Sequence, residues 1–225
     1  MNPALGGIWE HMRELGLGAL AHANRHAAYL AIENDKWPEL SVLQAAHAAE
    51  LLIKARIAEE HPLLIFEQLP RIAKASCPQL ELADLFKMGR TFQWADLPDR
   101  LWAVTGVLIP NREEFDAFGK LRNSIQHFSH DPSLDASDET LAFVFDAIDP
   151  FINSCWGLYA IDYDEDSAPY EYLTSTLVRR EIKFLVSPEA AAVFNHWDVG
   201  WDDVEATYKA CMLDRVEKAK ATEKH

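Results

Sequence analysis

An all-α fold is expected from three observations. Apolar residues recur at helical spacing along most of the chain, Pro and Gly punctuate them where helices would end, and no stretch alternates with period two. With 225 residues, 49% of them hydrophobic, the chain can build a sizeable core. We expect an antiparallel helical bundle over residues 1–160 and an acidic, aromatic-rich helical extension over 161–225.

The first helix is predicted near residues 8–33, weakened early by Gly16 and Gly18 and ended by Asn34, Asp35 and Trp37-Pro38. Ser41 is placed to cap a second, SVLQAAHAAELLIKARIAEE, where Leu43, Ala46, Ala49, Leu52 and Ile53 make the apolar face. Pro62 ends it, and LLIFEQLPRIAKAS reads ambiguously. ELADLFKM is helical up to Gly89, and a shorter helix starts near Leu97-Pro98. Asn111 caps REEFDAFGKLRNSIQHF, with Glu113 and Glu114 near the positive end and Phe115, Phe118, Leu121 and Ile125 as its core stripe. A loop through Pro132 leads to ETLAFVFDAIDPFINSCWG, which Pro150 should kink or break. YAIDYDEDSAPYEY reads as a connection, and residues 170–186 and 202–219 as further helices.

The formal net charge is −15. Residues 1–135 carry 13 Lys and Arg against 18 Asp and Glu, and the remainder 8 against 18. A surface that coats nucleic acid generally is therefore excluded, while a small basic pocket is not. The acidic C-terminal part suits solubility or a basic partner. No run of about 18 apolar residues would span a membrane, and MNPALGGIWEHMRELG does not read as a signal peptide. Cys77, Cys155 and Cys211 are odd in number and far apart, so they read as buried or free thiols in a reducing cytoplasm.

The chemistry concentrates in FGKLRNSIQHFSHD. Arg122 and His127 stand five residues apart, with Asn123, Ser124, Ile125 and Gln126 between them. With 11 arginines and 9 histidines, roughly 0.4 pairs of this spacing are expected by chance. Two exist. The other, Arg56 and His61, encloses Glu59 and Glu60, which would repel a phosphate. RNA cleavage without a metal needs a base for the 2′-hydroxyl, an acid for the leaving oxygen, and a cation at the phosphorus. Histidine can handle the protons. Arginine can fork onto two phosphate oxygens, and asparagine can orient the ribose or the imidazole. The bland reading of the same residues is a solvated helix C-terminus.

RNSIQHF resembles the R-x4-6-H motif of the HEPN (higher eukaryotes and prokaryotes nucleotide-binding) ribonucleases, which often place a polar residue after the arginine. AAHAAELLIKARIAEEHPLLIFE also resembles a helix of bacterial members, and the likeness covers about residues 1–160. The resemblance implies a HEPN-like bundle, dimeric, with both motif helices at the interface in a composite site. It implies a metal-independent endoribonuclease of toxin–antitoxin or anti-phage defence systems, cytoplasmic, with an RNA substrate, an antitoxin or defence partner, and no cofactor. Arg122, Asn123 and His127 carry over as the motif residues. One toxin subgroup has a modified tyrosine two places after the histidine; Ser129 stands there here.

Supporting roles are weighed for Glu50, Lys54 and His130. Glu50 and Lys54 are four apart, the spacing of an ordinary helix ion pair, or they could orient a catalytic group and reach RNA. His130 beside Asp131 could extend an RNA groove. His22 and His26 share a helix face without a third metal ligand and read as a packed pair. The seven tryptophans read as core before base-stacking platforms, with a partner-facing role as the alternative for Trp197 and Trp201. A second functional reading is a non-catalytic HEPN-like module that binds a nucleotide or a partner protein. A third is an interaction subunit whose acidic C-terminal part does the work.

Overall fold

Helix α1 (Ile8–Ala28) and helix α2 (Trp37–Glu60) are the two longest elements of the computed structural model, which describes residues 5–29, 31–71, 80–128, 133–166, 168 and 170–222. The others are α3 (Leu82–Met88), α4 (Leu97–Thr105), α5 (Arg112–His127), α6 (Ala136–Phe143), α7 (Asp149–Trp156), α8 (Glu171–Arg179), α9 (Pro188–Ala192) and α10 (Ala206–Thr222). Strands β1 (Phe66–Gln68) and β2 (Arg90–Thr91) form one short antiparallel pair. The fold is all-α, as the periodicity predicts. No helix among the described residues is long and apolar enough to cross a membrane.

The chain divides into two compact units. One holds the chain up to Gly16 together with Glu50–Leu108, the other Leu17–Ala49 together with Ile109 onward. Helices α1 and α2 each contribute to both.

In the first unit, Gly16 brings α1 against α2, because a Cβ there would lie 2.9 Å from Leu52 Cγ. The residue read as a weak point is thus a contact point. Pro62–Ile65 makes a single 3-10 turn, capped by His61 Nδ1, which accepts from Leu63 N at 3.2 Å. Of the stretch read as ambiguous, Phe66–Gln68 forms β1, which pairs with β2, and residues 72–76 lie outside the described residues. Helix α4 is framed as predicted, by Pro98 in its first turn and by Gly106 at φ 74° past its end.

In the second unit, α5 starts at Asn111, whose side chain accepts from Glu114 N at 3.4 Å. Phe115 and Phe118 are buried and meet Phe143 of α6, the Phe118 and Phe143 rings stacked at 3.9 Å. Leu121 and Ile125 are only half-buried, so the apolar stripe fades toward the end of the helix.

Ser41 does not cap α2. The helix begins at Trp37, with Leu40 N donating to Lys36 O at 2.9 Å, and Pro38 sits in the first turn, where its missing N–H costs nothing. Ser41 is instead fully buried, its hydroxyl 2.6 Å from Pro38 O and 2.8 Å from Thr140 Oγ1. Pro150 does not break its helix either. A π-turn at Val144–Ile148 joins α6 to α7, which accommodates the missing donor of Pro150 and its ring in the first turn of α7.

The acidic connection is firmly held. Asn24 donates to Ala160 O at 3.1 Å and to Tyr163 O at 2.7 Å, and the Tyr29 hydroxyl bonds both Asp164 and Asp166. The next predicted helix is shorter than expected: α8 ends at Arg179, and residues 182–187 are irregular. Asp149, at the start of α7, is fully buried and accepts from Ala160 N and Leu185 N, each at 2.8 Å.

Candidate functional site

The last turns of α5 carry the polar set. From Ala117 to Phe128 there is no Asp or Glu, and the helix's own acids, Glu113, Glu114 and Asp116, all lie in its first turns. Arg122 follows Phe118 by four residues, so it continues the edge of the core stripe and is half-buried. Asn123, Ser124, Gln126 and His127 are exposed.

At about 100° per residue, Arg122 and His127 stand about 140° apart and roughly 7.5 Å along the axis. Asn123 lies between them on that arc, about 40° short of His127. Its Oδ1 accepts from Arg122 Nη1 at 2.8 Å. The sequence suggests Asn123 as an orienter of ribose or imidazole. The structure gives it a different contact, the guanidinium of the preceding arginine. Gln126 and Lys120, both exposed, fall on the same polar arc. The helix closes with Phe128 N donating to Ser124 O at 2.9 Å, after which the backbone leaves helical geometry at φ −151°.

The second Arg–His pair is differently employed. Arg56 forms ion pairs with Glu59 at 3.4 Å and Glu60 at 3.0 Å, and its side chain is 17% exposed. His61 caps the 3-10 turn. The acids read as repelling a phosphate in fact bind the arginine.

Glu50 and Lys54 belong to the first unit, and Arg122, Asn123 and His127 to the second. Lys54 is buried, donating to Glu50 Oε1 at 2.6 Å and to Thr91 Oγ1 at 3.1 Å. It ties α2 to β2, an employment as structural as the helix pair that its spacing suggests. His130 and Ser129 lie outside the described residues.

His22 approaches Glu165 at 3.0 Å and His26 packs on the Trp37 ring at 4.8 Å. Burial, followed by the neighbouring His22, lowers the pKa of His26. His22 thus helps anchor the acidic connection, while His26 packs beside the start of α2. Among the described residues, no three His, Cys, Asp or Glu side chains are grouped to hold a metal ion. Trp197 is buried against Phe184 and Phe194, as the core reading expects. Two features went unread in the sequence: Phe128, which is 95% exposed directly after His127, and the buried Asp149. An acid inside the apolar run FVFDAIDPFI was the available signal for the second.

Comparison of the chain with family models, curated proteins and solved structures gives no match.

Proposed function

We propose that this chain is a HEPN-like endoribonuclease that cleaves RNA by attack of the 2′-hydroxyl, without a metal ion. One observation carries the reading: of the two Arg–His pairs, only Arg122 and His127 lie on a helix end whose residues 117–128 include no acid, with the guanidinium bonded to Asn123. Arg56 and His61 are consumed by local structure.

In the reaction the 2′-oxygen bonds to phosphorus while the bond from phosphorus to the 5′-oxygen breaks. One imidazole removes the 2′-hydroxyl proton and another protonates the leaving 5′-oxygen. Arg122 stabilises the charge that gathers on the non-bridging oxygens. One chain supplies a single motif imidazole, so the reading requires two chains, with the α5 ends facing across a two-fold axis. The setting that goes with it is a cytoplasmic toxin–antitoxin or anti-phage system with a partner protein that restrains the activity.

Purified protein incubated with total RNA in EDTA is expected to cleave it, leaving 2′,3′-cyclic phosphate and 5′-hydroxyl ends. Loss of cleavage in EDTA, or 5′-phosphate ends, would sink the mechanism. Mixing wild-type protein with an excess of His127→Ala chains, under conditions of subunit exchange, is expected to lower activity beyond dilution. Activity that scales only with the wild-type fraction rules out a composite site.

A further inference from the structure

We infer that Phe128 is a stacking platform for one unpaired RNA base beside the scissile phosphate. The substrate class is therefore single-stranded RNA. This inference rests on the reading of Arg122, Asn123 and His127 as the cleaving site.

The first support is position. Phe128 directly follows His127, and consecutive Cα atoms are about 3.8 Å apart. A base attached next to a phosphate held at His127 is within reach of the adjoining ring. Phe128 N donates to Ser124 O at 2.9 Å, which ties its backbone to the last turn of α5. Yet the side chain is 95% exposed, on a helix whose other phenylalanines, Phe115 and Phe118, are buried.

The second support is surroundings. Asn123, Ser124, Gln126 and His127 are exposed and polar. The ring stands at the end of α5, where the proposed two-chain site gathers these polar groups. It is the size of one base, with hydrogen-bonding groups beside it.

The third support is charge. With a net charge of −15, the chain cannot rely on phosphate attraction to hold RNA. Arg122 and Lys120 are the only Lys or Arg between Ala117 and Phe128. Affinity must then come largely from contacts that do not release counterions, and stacking on an aromatic face is such a contact. A base paired within a duplex cannot use it, because both of its faces are already covered.

The test uses the full-length protein and a short unstructured oligoribonucleotide with 2′-O-methyl riboses, which binds but has no 2′-hydroxyl to attack. Phe128→Ala and Phe128→Leu are expected to weaken binding roughly 10- to 100-fold, and Phe128→Trp to retain it. The ratio of wild-type to Phe128→Ala affinity should persist as salt is raised, and the same strand in a duplex should bind far more weakly. On cleavable RNA, Phe128→Ala should raise KM more than it lowers kcat.

Wild-type binding by Phe128→Leu, or equal binding of duplex and single strand, overturns the proposal. So does a wild-type protein that does not bind the oligonucleotide. Dissociation of Phe128→Ala into monomers would assign the ring to a protein interface instead. If the wild type binds the strand through Phe128 yet never cleaves RNA, the catalytic reading fails and the platform stands. If cleavage is intact and indifferent to Phe128, the reverse holds.

Discussion

His127→Ala is expected to lower RNA cleavage by about 10²- to 10⁴-fold, the range that a positioned acid or base contributes. Arg122→Ala should lose a comparable factor, because Lys120, the nearby cation on α5, is a point charge that cannot fork onto two phosphate oxygens. Arg122→Lys keeps the charge but not the fork, and should fall between. His127 is exposed at a helix end, so its removal should change stability by less than about 0.5 kcal/mol. The control is the other pair. Arg56→Ala removes the guanidinium that pairs with Glu59 and Glu60, and His61→Ala removes the cap of the 3-10 turn. Both should lower the urea midpoint and leave kcat within a few-fold of wild type. Initial rates on a fluorogenic RNA, with midpoints measured on the same preparations, separate the two effects. An active His127→Ala protein, or an inactive Arg56→Ala protein that is still folded, would reverse the assignment.

Local signals served the sequence reading well, because they depend on residues close in the chain. Asn111 caps α5, Pro98 and Gly106 frame α4, and Phe115 and Phe118 face the core, all as spacing and cap chemistry predict. Errors came where a distant partner decides. Ser41 has the chemistry of a cap, but Thr140, 99 positions away, takes its hydroxyl into the core. Strands of three and two residues are too short to show any period, so the β1–β2 pair was invisible. The acidic connection looked passive because its partners, Asn24 and Tyr29, lie about 135–140 positions earlier. Nor can periodicity show that residues 17–49 and 109 onward share a unit. At the site, spacing could not separate the two Arg–His pairs. The intervening acids mark a difference between them, and in the structure Glu59 and Glu60 bind Arg56.

Asp149→Asn is expected to destabilise the chain by about 2–4 kcal/mol at pH 5, the largest stability effect anticipated for a single isosteric change. Both carboxylate oxygens accept a backbone N–H, from Ala160 and from Leu185. At pH 5 the folded carboxyl is protonated, and its hydroxyl oxygen can still accept one of these N–H groups while its carbonyl oxygen accepts the other, whereas an amide turns an N–H donor toward one of them inside a fully buried site. These two bonds hold the turn at Ala160 and the segment at Leu185 to the start of α7, so their loss loosens the C-terminal part of the second unit. Burial pushes the Asp149 carboxyl up to about 7, against the pull of the two N–H donors and of Arg215. Because the folded pKa lies above the unfolded one, the folded state holds an extra proton between pH 4 and 7. Its contribution to stability is therefore complete below about pH 4 and is lost as pH rises through 7. Burial likewise raises the pKa of the half-buried Asp164, so its contribution falls with rising pH in the same sense. The asparagine variant lacks the Asp149 part of this dependence. The gap between the two proteins should accordingly narrow as pH rises from 5 to 8. Urea unfolding at closely spaced pH values measures it, and at pH 5 the variant's Tm should lie roughly 5–15 °C lower. A variant as stable as wild type would show that the two bonds contribute little, and a gap unchanged with pH would show that Asp149 does not titrate in this range.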